Sequence, residues 1–280
     1  MKLWIPGAGG LVGKVLCSKI DAVATRREVD IGDLEAIRTF AKKTGPFTHI
    51  VNCAAFSEVD LAESFIGEAF RVNALGPENL GRFAAETGAH LLHLSTDYVF
   101  DADEKATLKE DDLTNPCNVY GKTKLEGERR LFSVFPGACV LRTSWVFGGD
   151  GKNFVAKLLQ LLETREELRL VFDQVSRPTY VFDLAVAIFE LINESGLYHF
   201  ANSDPTNKYE FSIAFREIAE ELGFFLRCKT IVPVPSSEFC SPAKRPQYSA
   251  LDTSKIEKKL TRPIRSWKDC IREYLHAKTR

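Results

Sequence analysis

Short apolar runs alternate with longer amphipathic stretches along the first half of the chain. Each apolar run ends in small or polar residues, and the next segment carries apolar positions at helical spacing. Strands are predicted at residues 3–5, 22–25, 49–52, 89–94 and 138–142. This strand–helix alternation through about residue 145 predicts an α/β fold, a Rossmann-type doubly wound parallel sheet.

Helix boundaries in this half carry recognisable signals. Asp33 is a predicted N-cap, and Gly45 is predicted to end the helix that it begins. Residues 65–87 read as one long helix that is interrupted at Gly76-Pro77 and ended by Gly88. A further helix is predicted after Asn115-Pro116.

The pattern becomes less regular after residue 145. Helical spacing predicts helices at residues 153–162, 181–192, 209–222 and 267–276, with a short strand at residues 198–200. Prolines concentrate between Pro233 and Pro246. We expect a smaller α/β lobe that closes over the edge of the sheet.

The first predicted strand runs directly into a glycine-rich turn. Gly7, Gly10 and Gly13 are spaced G-x-x-G-x-x-G before a helical segment. A strand, a glycine turn and a helix in this order favour a dinucleotide site, in which Gly7 makes the turn, Gly10 admits a diphosphate and Gly13 lets helix and strand pack. A glycine-rich turn without a ligand is the simpler alternative at this point.

The second predicted strand ends in Arg26-Arg27, where NAD-binding folds usually carry an acidic residue for the adenosine ribose. A guanidinium suits a 2′-phosphate instead. The pair therefore favours NADPH, with NADH as a possible second cofactor.

Tyr120 and Lys124 are four residues apart in a predicted helix and so share one face. An ammonium close to a phenol favours the phenolate and lowers the tyrosine pKa from about 10, which would allow Tyr120 to act as a general acid or base. The spacing alone favours a solvated surface pair, so the other motifs have to support the catalytic interpretation. Thr96 follows the fourth predicted strand, at the edge where ligands bind in open parallel sheets.

Composition narrows the choice of partners. The 280 residues are 45% hydrophobic and 27% charged, and 37 basic residues nearly balance 38 acidic ones. Neither a nucleic-acid surface nor a membrane span is predicted. Seven scattered cysteines without a C-x-x-C pair fit a reducing, cytoplasmic setting, and the histidines and cysteines predict no metal site.

Three motifs in this order make the chain similar to the extended short-chain dehydrogenase/reductase superfamily: the glycine loop, the strand end Ser95-Thr96-Asp97, and Tyr120-x-x-x-Lys124. Within it, the chain more closely resembles the dTDP-4-dehydrorhamnose reductase family over nearly its whole length. The matching segments lie at residues 51–55, 72–80, 95–101, 142–148, 153–155, 173–174, 178–179, 245–246 and 249–253. Ser176 stands where that family usually has a glycine.

The resemblance implies a role for each matching residue. The implied catalytic residues are Thr96, Tyr120 and Lys124. The implied cofactor-binding residues, with Arg26 added from its position, are Gly7, Gly10, Leu11, Val12, Gly13, Arg26, Asp30, Ile31, Ala55, Phe56, Ser57, Tyr120 and Lys124. The implied substrate-binding residues are Val59, Thr96, Asp97, Tyr98 and Trp145.

The resemblance also implies the reaction, which is NADPH-dependent reduction of the 4-keto group of a dTDP-4-keto-6-deoxysugar. Tyr120 would protonate the new alkoxide, and Lys124 would lower the phenol pKa and hold the nicotinamide ribose. Residues 1–145, completed by about residues 175–195, would bind NADP(H), and most of residues 146–280 would bind the nucleotide sugar. We expect a monomer or a homodimer.

Two related functions stay open. The regulatory β subunit of methionine adenosyltransferase keeps NADP and the Tyr–Lys pair, although Trp145 and the run Lys152-Asn153-Phe154 argue against that role here. A nucleotide-sugar epimerase or dehydratase uses the same pair with NAD. The missing acid after the second strand argues against it, as does Asp97-Tyr98 where dehydratases place Asp-Glu.

Overall fold

The computed structural model describes residues 1–102, 106–151 and 153–279. Lys152, which the sequence analysis used, lies outside the described residues, as do residues 103–105 and 280. The strands, in chain order, are β1 (Leu3–Pro6), β2 (Val23–Thr25), β3 (His49–Asn52), β4 (His90–Thr96), β5 (Cys139–Thr143), β6 (Val146–Phe147), β7 (Glu167–Val171), β8 (Val175–Ser176), β9 (Thr179–Tyr180), β10 (Gly196–Phe200), β11 (Thr206–Asn207) and β12 (Thr230–Val234).

The central sheet has the strand order β10-β5-β4-β3-β1-β2, and every neighbouring pair is parallel. The chain passes from β1 to β2 on one side and returns to β3 on the other. This reversal of direction creates a crevice outside the carboxyl ends of β1 and β3, where open α/β sheets bind ligands. The predicted doubly wound parallel sheet is therefore confirmed.

The helices, in chain order, are α1 (Leu11–Lys19), α2 (Leu34–Thr44), α3 (Val59–Ala62), α4 (Ile66–Phe70), α5 (Gly76–Thr87), α6 (Val119–Val134), α7 (Phe154–Thr164), α8 (Val181–Glu190), α9 (Lys208–Glu221), α10 (Ser254–Glu257) and α11 (Trp267–His276). Local signals set several of their ends. The Asp33 carboxylate caps α2 by accepting from two backbone N–H groups, and Gly88 ends α5 in the left-handed conformation at φ 73°.

Both faces of the sheet are covered because side chains alternate along each strand. Leu3 and Ile5 point to the face covered by α1 and α8, whereas Trp4 points to the face covered by α2 and α5. All three are buried. Such apolar strands, covered on both faces, are typical of parallel sheets.

The structure differs from the sequence prediction in one helix and one strand, and it also contains strands that were not predicted, such as β7 and β12. The single helix expected over residues 65–87 is divided into α4 and α5 by a π-helical turn, Arg71–Leu75, just before Gly76-Pro77. The strand expected at residues 198–200 is longer and pairs with β5, so it completes the central sheet.

A second hydrophobic cluster forms the smaller lobe. It joins α7, α9 and α11 around the buried rings of Phe147, Phe211, Phe215 and Trp267. The parallel pair β7–β12 lies in the same lobe. The central sheet takes its last strand from residues 196–200, and the division of the chain into domains at about residue 145 stays a prediction. None of the helices in the described part of the chain has the length and apolar character needed to span a membrane.

Candidate active site

The predicted site residues follow different strands, but all of them lie at one edge of the sheet. Gly7 follows β1, Arg26 follows β2, Thr96 ends β4 and Trp145 follows β5. Because these strands are parallel, their carboxyl ends meet along the same crevice. Tyr120 and Lys124 reach this edge from the first two turns of α6, which begins at the Asn118 N-cap.

The glycine loop has the shape of a diphosphate cradle. Gly7 has φ 79°, and a Cβ on it would lie 2.4 Å from the Ala54 nitrogen; a Cβ on Gly13 would lie 2.6 Å from the Gly7 oxygen. At Gly10, which caps α1, a Cβ would meet nothing closer than that same oxygen at 3.4 Å. Two glycines thus close the loop while the third leaves the N-terminus of α1 open, which fits a dinucleotide diphosphate. Leu11 and Val12 form the first turn of α1 and are half-buried.

Arg26 lies beside this loop. Its side chain is exposed, and its Cδ and Nε lie 3.2 and 3.3 Å from the place of a Cβ on Gly9. Asp30, in contrast, is engaged within the protein, because its carboxylate accepts from the Arg71 guanidinium and from the Gly32 N–H. The Arg26 guanidinium is therefore free to meet a ligand beside the glycine loop, whereas the Asp30 carboxylate shapes the loop.

The remaining cofactor candidates follow β2 and β3 and differ in their exposure. Ile31 is buried, and its carbonyl accepts from Asn79 at 3.0 Å. Ala55 and Ser57 are exposed after β3. Phe56 is fixed between them because its backbone N–H and C=O both bind the Asn73 amide, at 2.8 and 3.2 Å.

Tyr120 is held in a largely desolvated position. Burial raises the pKa of its phenol to about 12, whereas a hydrogen bond with Thr96 lowers it. The Tyr120 ring packs edge-on against Tyr98 with 5.8 Å between centroids. The phenol therefore carries its proton at neutral pH.

Lys124 does not act on Tyr120 as the sequence suggested. Its Nζ donates to the Leu94 carbonyl at 2.6 Å and lies 3.3 Å from His93 Nε2. It is 2% exposed, and burial lowers its pKa to about 8. The pKa of Tyr120 is raised rather than lowered because desolvation dominates, and the amine is directed to β4 instead of the phenol.

A cleft of about 230 Å³ opens beside this group. Asp97, Tyr98 and Trp145 of the predicted substrate residues line it. Val59, which begins α3, and Thr96 lie outside its lining. The other residues that line the cleft are Phe154, Gln174, Val175, Ser176, Lys208, Arg245, Pro246 and Ser249.

Two of the predicted substrate residues have unusual surroundings. Asp97 is 3% exposed, and burial raises its pKa to about 7 even though Ser249 Oγ donates to its carboxylate at 2.6 Å. Trp145 has φ 42°, in the left-handed region that a bulky residue rarely adopts. Its indole packs on Phe211 with 4.9 Å between centroids, so Trp145 both lines the cleft and contacts the second core.

Sequence reasoning missed the two cations of the cleft. Arg245 is bound by both oxygens of Asp60, at 2.6 and 2.7 Å. Lys208 is half-buried over the Phe154 ring, and no described carboxylate lies within ion-pair distance of it. Arg245-Pro246 was noted as a matching segment, whereas Lys208 carries no local signal at the start of an amphipathic helix.

Comparisons with known proteins agree with this geometry. The family model described as RmlD substrate binding domain matches residues 1–280. The dTDP-4-dehydrorhamnose reductase of Mycolicibacterium smegmatis is 36% identical over 287 residues, which cover 99% of this chain and 85% of that protein.

Two solved structures share the whole fold. The dTDP-4-dehydrorhamnose reductase of Clostridium acetobutylicum is 34% identical with a TM-score of 0.92, and the alignment covers 100% of both chains. The Bacillus anthracis enzyme of the same name, solved in complex with NADP, is 31% identical with a TM-score of 0.92 and covers 99% of this chain and 100% of that one.

Proposed function

The chain belongs to the RmlD substrate binding domain family, and from this we propose that it is an NADPH-dependent oxidoreductase that reduces dTDP-4-dehydrorhamnose to dTDP-rhamnose. The observation that carries the proposal is the position of the Tyr120 phenol, which packs on Tyr98 of the cleft of about 230 Å³ and lies next to Thr96 at the end of β4. It unites a proton donor, a hydroxyl partner and a cavity at the ligand-binding edge of the sheet. NADPH, when bound, supplies the hydride that reaches the C4 carbonyl carbon.

Tyr120 supplies the proton for the carbonyl oxygen. Reduction of a ketone needs a proton donor, and a phenol with pKa about 12 is fully protonated at neutral pH. The phenolate left behind accepts a hydrogen bond from Thr96. Lys124 lies one helical turn from Tyr120 on α6 and donates to the Leu94 carbonyl of β4, and its amine would hold the nicotinamide ribose.

The cofactor groove is formed by this chain's own residues in two regions. Backbone N–H groups at the start of α1 would bind the cofactor diphosphate, since Gly10 leaves room there. Arg26 would contact the 2′-phosphate of NADPH, and this contact would give a preference for NADPH over NADH.

The nucleotide sugar occupies the cleft between the sheet edge and the smaller lobe. Lys208 and Arg245 bring positive charge to it, and we assign the substrate diphosphate to Lys208 because Arg245 is already paired with Asp60. Trp145 offers a flat apolar face to the sugar. Ser176, in place of a family glycine, lies in the same lining and adds a hydroxyl that can bind the sugar.

The cellular compartment of the protein follows from the same proposal. The cysteines at all seven positions are unpaired, which supports a reducing compartment such as the cytoplasm. Assembly as a monomer or a homodimer stays a prediction that analytical ultracentrifugation would test.

The direct test is turnover of dTDP-4-dehydrorhamnose with NADPH, followed by loss of reduced-nicotinamide absorbance. Tyr120→Phe should bind NADPH normally and lose roughly 10²–10⁴ in kcat, the usual contribution of general acid catalysis. Tyr209→Phe, a half-buried tyrosine of α9, is the matched control and should keep full activity. Unchanged turnover in Tyr120→Phe would refute the assigned role.

A further inference from the structure

A buried hydrogen-bond chain lies behind Lys124. Ala54 N–H donates to Asn52 Oδ1 at 3.0 Å, Asn52 Nδ2 lies 3.0 Å from His93 Nδ1, and His93 Nε2 lies 3.3 Å from Lys124 Nζ. Asn52 and His93 are fully buried. Neither residue has a role in the reaction described above.

This chain fixes where the His93 proton lies. A backbone N–H is always a donor, so the Asn52 atom facing Ala54 must be the amide oxygen. The Asn52 amide nitrogen therefore faces His93 and donates to Nδ1. Since Nδ1 accepts, the proton of the neutral imidazole is on Nε2, which faces Lys124. Burial and the Lys124 charge also hold the pKa of His93 well below its ordinary value, which keeps the ring neutral.

An N–H directed at a lysine discriminates between its two protonation states. An ammonium has donors only, whereas a neutral amine has one lone pair that accepts. We propose that His93 is a positioning residue whose Nε2–H favours the uncharged amine of Lys124 and holds that amine against β4. The carbonyl of Leu94 accepts an amine hydrogen in either state and so fixes the position of the amine, although its hydrogen bond is stronger to the ammonium and opposes the His93 effect.

Other groups around Lys124 oppose this effect. Glu128, one turn further along α6, and Cys53, which follows β3, both raise the lysine pKa. Glu128 is itself neutralised by Arg142, to which it is bound at 2.6 and 2.9 Å. The His93 contact and desolvation thus both lower the Lys124 pKa, whereas Glu128 and Cys53 raise it. The resulting pKa of Lys124 lies below that of an ordinary lysine.

The proton position can be read directly by two-bond proton–nitrogen NMR correlation of the histidine rings. His199 serves as the internal reference because it is also buried but has the opposite surroundings: its Nδ1 faces the Leu108 carbonyl at 3.1 Å and its Nε2 faces the Arg142 guanidinium at 3.3 Å. We expect the Nε2–H form at His93 and the Nδ1–H form at His199. An Nδ1–H signal at His93 would overturn the inference.

The effect on Lys124 is measured by titrating its Cε NMR resonance, which is assigned by its absence in Lys124→Arg. His93→Phe keeps a ring but removes the N–H, and we expect the Lys124 pKa to rise by about 0.4–1 unit, as one net hydrogen bond provides. His90→Phe, an exposed position on the same strand, should leave it unchanged. An unaltered Lys124 pKa in folded His93→Phe would contradict the proposal.

Asn52→Asp offers a second variant that reverses the bond instead of deleting it. A carboxylate accepts from Nδ1–H, which moves the His93 proton away from Lys124 and should again raise the Lys124 pKa. These spectra need no turnover, so they stand or fall separately from the proposed function.

Discussion

Replacement of Arg26 tests the cofactor assignment most selectively. The guanidinium is exposed at the end of β2 beside Gly9, where it can reach a phosphate without moving the backbone. A hydrogen bond to a charged group contributes about 1.5–3 kcal/mol. Because the site is exposed and screened by solvent, we expect the lower end, so Arg26→Ala should weaken NADPH about tenfold and leave NADH unchanged.

The assay is equilibrium titration of each cofactor, followed by quenching of tryptophan fluorescence. Arg27→Ala is the matched control, because Arg27 is the adjacent exposed arginine and its charge acts on Glu68. The preference for NADPH should also shrink as salt is added. Equal binding of both cofactors by the unaltered protein, or equal losses in the two arginine variants, would refute the reasoning.

Three further changes probe the loop, the buried acid and the cleft. Gly7→Ala should lower the free energy of unfolding by at least about 1–2 kcal/mol because of the positive φ alone, and a backbone clash adds to this loss. The melting temperature of Gly7→Ala should therefore lie well below that of Gly137→Ala, and equal melting temperatures would contradict this expectation. Asp97, with pKa about 7, keeps its proton in the folded state between about pH 4 and 7, so stability falls as pH rises through that window by up to about 4 kcal/mol. In Asp97→Asn, the free energy of unfolding measured with urea should no longer depend on pH in this window. A retained slope of stability against pH would refute the role of Asp97. Trp145→Ala should raise KM for the sugar nucleotide because the indole lines the cleft, and it should lower stability because the indole packs on Phe211. An unchanged KM would exclude the substrate contact, and unchanged stability would exclude the packing role.

The sequence predicted most of what depends on neighbours along the chain. The Asp33 cap, the Gly88 helix end and the strand–glycine–helix order of the first loop each depend on a few consecutive residues. The parallel sheet followed from the alternation of elements, since parallel strands need such crossovers. The π-helical turn at Arg71–Leu75 could not be predicted, because Gly76-Pro77 indicates a break in the helix but not the geometry of that break.

The parts of the site that the sequence did not predict depend on contacts between distant segments. Lys208 and Arg245 enter the cleft only because the smaller lobe packs against the sheet edge. The spacing of Tyr120 and Lys124 placed both on one face of α6, but it could not show that the amine turns to Leu94 and His93. Direction and desolvation of a side chain are tertiary properties, and they reversed the expected sign of the Tyr120 pKa shift.

Transfer of deuterium from the reduced nicotinamide tests the central claim most directly. The protein is incubated with dTDP-4-dehydrorhamnose and NADPH that carries deuterium in turn on each face of the nicotinamide C4. The account predicts that one labelled form delivers its deuterium to C4 of the sugar, and that Tyr120→Phe slows this transfer without redirecting it. Product without deuterium at C4 from either form, or no reduction while NADPH still binds, would contradict direct hydride transfer and favour a cofactor-binding regulatory subunit.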